Sequence, residues 1–182
     1  PMLWGWDGDV DVPAAGAHLA GRADVDPDRI AVVGMSMGGE EAIGALPLVP
    51  QVRAVVAEGV TGRTAEDLAW LTDAYGWRGT LTRQVHAAQT ALVDALATAR
   101  RPAPLVDAVR DAASRPVLLV VAGEAPDEAH AARALRRAAP ATVTVWEVPG
   151  AHHLEGLRTD PHGWAARVTA FLDDATRPDG DR

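Results

Sequence analysis

The chain contains no cysteine. Disulfide frameworks, thiolate nucleophiles and Cys-ligated zinc are therefore excluded. Lysine is also missing, so all 17 basic residues are arginine, and Ser-Lys catalysis of the S-x-x-K kind is ruled out. Arginine-only usage beside abundant alanine fits GC-rich coding better than a binding role. A positive balance is absent too. The formal charge of −8 argues against a nucleic-acid partner, whose affinity rests on basic side chains meeting phosphate. No run approaches the apolar length of a membrane span, and no signal-peptide pattern opens the chain. The visible segment favours a cytoplasmic address, but the first residue is Pro1 rather than a start methionine, which leaves an upstream segment open.

What is present describes a globular protein. The 182 residues are 48 % hydrophobic and 23 % charged, enough for one core and too few to promise two domains. Four short apolar runs read as buried strands: Ile30 to Val33, Val52 to Ala57, Val117 to Ala122 and Val143 to Val148. Continuous apolarity over such lengths suits a parallel sheet covered on both faces. Helical patterns lie between them. One covers Gly38 to Leu46. Another covers Glu128 to Ala139, with Ala132, Leu135 and Ala139 on one face and Pro126 near its first turn. A third starts at Asp160-Pro161 and carries the stripe Trp164, Val168, Phe171 and Leu172. This alternation predicts an α/β protein.

The interval from Glu58 to Arg115 breaks the rhythm. Thr64 to Asp67 resembles a capping box, followed by Leu68, Leu71 and Tyr75. A second helix carries Val85, Leu92 and Leu96, and a break at Arg101-Pro102-Ala103-Pro104 precedes a third over Leu105 to Ala113. A helical insertion over 59–113 is thus expected, either as a lid over a site or as an enlarged crossover. Trp70 and Trp77 offer an apolar wall or ordinary helix packing. No internal repeat is visible, and the polar tail from Thr176 is expected to fray.

One pentapeptide carries chemistry: Gly34-Met35-Ser36-Met37-Gly38. Strand, then G-x-S-x-G, then helix is the context of a nucleophile elbow. The turn is so sharp that glycines are expected two residues either side of Ser36. It pushes the hydroxyl out at the strand's carboxyl end. The helix behind aims N–H groups, that of Met37 first, at a developing oxyanion. A serine hydroxyl needs a base, and an imidazole needs an orienting carboxylate. In elbow-type enzymes the chain order is Ser, acid, His. His153, just past the last strand in Pro149-Gly150-Ala151-His152-His153, is the predicted base, with His152 in reserve. The third strand ends at Ala122-Gly123, before Glu124-Ala125-Pro126-Asp127-Glu128. Asp127 is the favoured acid and Glu124 and Glu128 are alternatives; Glu58, after the second strand, is a further one.

These residues resemble the α/β-hydrolase superfamily. Asp11 to Ala15, then Val25-Asp26-Pro27-Asp28-Arg29-Ile30 through Gly38-Gly39, is similar to the segment entering the elbow in prolyl-oligopeptidase-like and dienelactone-hydrolase-like members. Val148 to His153 resembles the family's G-A-G-H loop, with His152 where glycine is usual. The resemblance implies a partial α/β-hydrolase fold: a mostly parallel sheet of about four strands, helices on both faces and the lid-like insertion. On this reading residues 1–182 form a single, N-terminally incomplete domain lacking the first four strands and the loop that gives the second oxyanion donor. Pro1 to Trp6 would follow the missing part, and the strand at 30–34 would be an unpaired edge. The implied activity is that of a serine hydrolase with a Ser36, Asp127, His153 triad and the Met37 N–H in the oxyanion hole, acting on a small-molecule ester or amide. No metal or organic cofactor is implied. Alternatives are a cofactor-free perhydrolase or haloperoxidase-like enzyme, and a non-catalytic partial domain.

Overall fold

The computed structural model describes residues 8–96, 101–112 and 114–177. The opening run Pro1 to Trp6 and the tail beyond residue 177 lie outside the described residues. The elements in order are α1 (Gly8–Ala20), β1 (Ile30–Met35), α2 (Met37–Ala45), β2 (Val52–Glu58), α3 (Trp70–Tyr75), α4 (Trp77–Leu96), α5 (Leu105–Asp111), β3 (Val117–Ala122), α6 (Pro126–Ala138), β4 (Val143–Val148), α7 (Gly156–Thr159) and α8 (Pro161–Ala175). Short 3-10 turns occupy Leu46–Leu48 and Asp67–Ala69.

All four apolar runs form strands. Among the described residues they make one parallel sheet in the order β1-β2-β3-β4. Their uninterrupted apolarity is explained by two-sided burial. Val55, Ala57, Val117, Leu119 and Val121 pack with Ile43 and Leu46 after the elbow, Leu105 and Val109 of α5, and Ala132 and Leu135 of α6. Val56, Leu118, Val120 and Ala122 point the other way, toward Val168, Trp164, Phe171 and Leu172 of α8. The last set is the stripe expected of the final helix.

β1 is an edge, as expected. Its second side pairs with no strand among the described residues, and Val33 is 46 % exposed there. An apolar groove of about 430 Å³ runs along this edge against α1, lined by Val12, Ala15, Leu19, Ile30, Val32 and Val33.

The interval after β2 is helical, as expected. Its three helices have different attachments. α5 lies in the main core, with Leu105 and Val109 buried, and so serves as an ordinary crossover helix. α3 packs on α6, and α4 packs chiefly on α3. The expected capping box forms around Asp67. Its Oδ2 accepts from Thr64 N and Thr64 Oγ1 at 3.1 and 2.9 Å, and Thr64 Oγ1 accepts from Asp67 N at 3.3 Å. Asp67 Oδ1 also accepts from Val106 N at 3.1 Å, which fastens the start of the interval to α5. Burial pushes the Asp67 carboxyl up, and these hydrogen bonds oppose the shift.

An ion cluster joins the interval to α2. Arg63 is buried; its Nη1 donates to Asp9 Oδ1 at 3.1 Å and Glu41 Oε2 at 3.4 Å, and its Nε donates to Ala103 O at 3.0 Å. The guanidinium lies where a side chain at Gly44 would stand: a Cβ there would be 2.0 Å from Arg63 Nη2. Burial pushes the Glu41 carboxyl up from 4.5 to about 7; Arg63 opposes this, and Asp9, Glu40 and Asp11 add to it.

The sign of the pH effect follows. Between 4.5 and about 7 the folded chain holds a proton on Glu41 that the unfolded chain has lost, so this group's contribution to stability falls as pH rises through that window. Glu41→Gln removes the titration. Denaturant unfolding at about pH 5 and about pH 8 should show the variant gaining stability relative to wild type at the higher pH; parallel profiles would contradict the assignment.

Candidate active site

The site is assembled from the carboxyl ends of all four strands. β1 stops at Met35 and α2 starts at Met37, leaving Ser36 alone on the turn with φ 50° and ψ −122°. Few non-glycine residues adopt such a backbone, and tertiary contacts must hold it there. Ser36 N–H donates to Glu58 O at 2.7 Å, extending the β1–β2 pairing one residue past the strand. The glycine requirement differs from the expected symmetric pair. A Cβ at Gly34 would be 2.4 Å from Gly38 O, whereas a Cβ at Gly38 would meet nothing within 4 Å. The second tight position is Gly39, where a Cβ would lie 3.1 Å from both Ala57 Cβ and Val60 Cγ2. Close packing of α2 on β2, rather than the turn alone, requires it.

The histidine loop follows β4. Gly150 has φ +73°, and Ala151 is wholly buried. Two main-chain bonds tie this loop to the end of β3: Gly123 N donates to Val148 O at 3.0 Å, and Glu124 N donates to Ala151 O at 2.9 Å. The loop delivers His153 to the elbow, with Nε2 3.1 Å from Ser36 Oγ. His152 is exposed, and its carbonyl accepts from Glu155 N at 3.0 Å.

The carboxylate at the other imidazole nitrogen is Glu128, not Asp127. Glu128 Oε1 lies 2.7 Å from His153 Nδ1, and its Oε2 accepts from Ala122 N at 2.9 Å. An ionised carboxylate only accepts, so Nδ1 carries the hydrogen and Nε2 is left to accept from the Ser36 hydroxyl. Glu128 is 2 % exposed, shielded from water like the core around it. Asp127 is exposed and turned away, its Oδ1 accepting from the Tyr75 hydroxyl. That bond holds the Tyr75 phenol above its ordinary value.

Helix phase explains the correction. α6 begins at Pro126, and adjacent helical residues point about 100° apart. Position 128 shares its face with Ala131, Ala132 and Leu135, all buried, and therefore looks into the sheet. An acid in register with an apolar stripe was the available signal. Glu124 is exposed and contributes its main-chain N–H, as described above.

Glu58 does not touch the imidazole nitrogens. It is 2 % exposed; Oε1 accepts from Gly156 N at 2.8 Å and Oε2 from Trp164 Nε1 at 2.9 Å. It therefore clamps the far end of the histidine loop to β2. The next residue, Gly59 (φ +75°), forms the surface under the ring, since a Cβ there would lie 2.8 Å from His153 Cε1. Met37 occupies the first turn of α2, where main-chain N–H groups have no partner within the helix. Exposed Met35, Met37, Leu154 and Leu157, on the elbow and the segment after the histidine loop, give these segments an apolar surface. Of the interval's tryptophans, Trp70 is buried helix packing and Trp77 is exposed. Among the described residues no group of three or more His, Asp or Glu is placed to hold a metal ion.

No family model and no curated protein matches this sequence. Solved structures do match. An esterase of Pyrococcus furiosus is 18 % identical, with 92 % of this chain laid on 62 % of that one at a TM-score of 0.60. The alpha/beta hydrolase GrgF from a Penicillium species is 13 % identical, over 92 % of this chain and 71 % of that one, with a TM-score of 0.61. The acylaminoacyl peptidase of Pyrococcus horikoshii is 16 % identical, over 94 % of this chain and 27 % of that one, with a TM-score of 0.57. The chain thus spans less than two thirds of the first esterase's length. It has the α/β-hydrolase fold in a partial form, with four parallel strands among the described residues.

The clamp at Glu58 is open to test. Both of its oxygens accept from N–H donors, so Glu58→Gln sets an amide NH₂ against one of them. A buried donor without an acceptor costs about 1–3 kcal/mol. The variant should unfold at correspondingly lower denaturant, and the His153 ring resonances should shift while those of His130 stay in place. Unchanged stability and an unmoved His153 would refute the clamp.

Proposed function

We propose that this chain carries the nucleophile, base and acid of a serine hydrolase that works by acyl transfer. The observation that carries the reading is the continuous line from Ser36 Oγ through His153 to Glu128, at 3.1 and 2.7 Å. The acid of the triad is Glu128 in place of the expected Asp127.

In this mechanism Ser36 Oγ attacks the substrate's carbonyl carbon as its proton passes to His153 Nε2. Glu128, ionised, steadies the resulting imidazolium through Nδ1–H. The carbonyl's π electrons move to oxygen, where the Met37 N–H donates to the oxyanion. Collapse expels the alcohol, which takes the proton from Nε2 and leaves Ser36 acylated. Water then gives its proton to Nε2, attacks the acyl carbon and releases the acid, and Ser36 recovers its hydrogen. The α/β-hydrolase fold ordinarily takes a second oxyanion donor from a loop after an early strand.

A small-molecule ester is the favoured substrate, with an amide next. The structural neighbours that bear the names esterase and acylaminoacyl peptidase support that pair. The exposed Met35, Met37 and Leu154 favour an apolar acyl or alcohol group.

A fluorophosphonate probe tests the nucleophile. Wild type should label and Ser36→Ala should not; labelling that persists in the variant refutes the assignment. The acid is tested by rate. Glu128→Gln should slow labelling by on the order of 10³–10⁴-fold, and Asp127→Asn by no more than about threefold, the range of a surface change. The reverse ranking would restore Asp127.

A further inference from the structure

Helix α4 is inside out. Over its 20 residues Gly79 and Thr90 are the buried ones. Its inner side is small or polar: a Cβ at Gly79 would stand 1.8 Å from Leu71 O, and Arg83 Nε donates to Ala65 O at 3.0 Å. Its outer side holds Trp77, Leu81, Val85, Leu92 and Leu96, exposed by 73, 57, 51, 62 and 77 % respectively. An amphipathic helix ordinarily turns that stripe toward a core. A contiguous apolar strip in water marks a surface that something covers.

We propose that the strip is covered by the same strip of a second copy, in an antiparallel α4–α4 pair. The pattern itself selects this occupant. Trp77, Leu81, Val85, Ala88, Leu92 and Leu96 are spaced identically when read from either end. A twofold axis between His86 and Ala87 therefore sets Trp77 on the partner's Leu96, Leu81 on the partner's Leu92, and Val85 on the partner's Ala88. Isologous dimers need such self-complementarity. Ala88 and Ala91 are exposed near the centre and admit the close helix approach of about 8–10 Å.

Charge permits the pairing. The outer face carries one ionic side chain, Arg78, lying over the Trp77 ring. The twofold sets the two Arg78 side chains at opposite ends of the helix pair, so like charges do not meet. An anionic bilayer is the poorer fit, since helices that lie on one present several basic residues, and this chain's formal charge is −8. A pair of helices about 30 Å long covers an area at the low end of specific interfaces, about 1,000–1,200 Å², so the dimer should depend on concentration.

The test uses the 182-residue chain. Sedimentation equilibrium over rising concentration should show a monomer–dimer exchange. Leu81→Glu and Leu92→Glu should each abolish it with circular dichroism unchanged, since both side chains are exposed. The absence of cysteine permits a check on register. Leu81→Cys mixed with Leu92→Cys under mild oxidation should give a disulfide-linked heterodimer in large excess over the product of either variant alone. A chain monomeric throughout overturns the proposal. So does a dimer that survives Leu81→Glu, which must join elsewhere, the open β1 edge included. Cross-linking by Leu81→Cys alone overturns the register. Wild type that stays monomeric yet binds phosphatidylcholine vesicles, with binding lost in Leu81→Glu, assigns the strip to lipid instead.

Discussion

The hydrogen bond from Ser36 N–H to Glu58 O, 2.7 Å long, is the reference point for the top of the sheet. It continues the pairing of Met35 with Glu58 and holds the unusual Ser36 backbone against β2. The same residue that accepts it sends its carboxylate to Gly156 N and Trp164 Nε1. The nucleophile turn and the histidine loop are therefore both measured from one peptide of β2. Gly59, next along, supplies the surface on which the His153 ring lies. A register slip of one residue between β1 and β2 would reverse which side chains face the core.

How much of this was legible depends on whether a feature is local. The four strands were, because burial on both faces leaves continuous apolar runs in the sequence. The elbow was, because backbone crowding at Gly34 leaves its mark two residues from Ser36. His153 was, because it follows directly on β4. The acid was legible only as a five-residue window. Choosing within it requires the phase of α6, which Pro126 sets by starting the helix. Glu128 then falls in line with Ala132 and Leu135, whereas Asp127 turns outward. The clamp at Glu58 was out of reach, since its two donors lie 98 and 106 positions away. For α4 the stripe Val85, Leu92 and Leu96 was visible, but periodicity says only that a helix has an apolar side. It does not say where that side points.

Buried acids do similar work at several junctions. Main-chain N–H groups in loops have no ladder to join, and a buried one without an acceptor is costly. A carboxylate brings two acceptor oxygens on a short stem. Glu58 takes Gly156 N, Asp67 takes Val106 N, and Glu128 takes Ala122 N. Each acid so ties its own segment to a main-chain N–H of another. Glu41 is the exception. It faces Arg63 rather than a main-chain donor, and Glu41 Oε1 and Arg63 Nη2 are both buried without a hydrogen-bond partner among the described residues. Its pKa is raised because burial, helped by the nearby Asp9, Glu40 and Asp11, outweighs the attraction of Arg63.

The division between Asp127 and Glu128 links the helical interval to the chemistry. Asp127 accepts from Tyr75 at the end of α3. One turn along α6, the His130 ring stacks on Trp70 at the start of α3, 5.8 Å between centroids and 2° from parallel. Trp70 in turn donates Nε1–H to Thr61 O at 3.2 Å. The outward face of α6 is thus fastened to α3 over the same turn whose inward face holds Glu128 against His153. Gly76, with φ +60°, ends α3 and hands the chain to α4. The neighbouring carboxylates have different tasks: position 127 docks the interval through Tyr75, and position 128, in the phase that Pro126 sets, holds the imidazole.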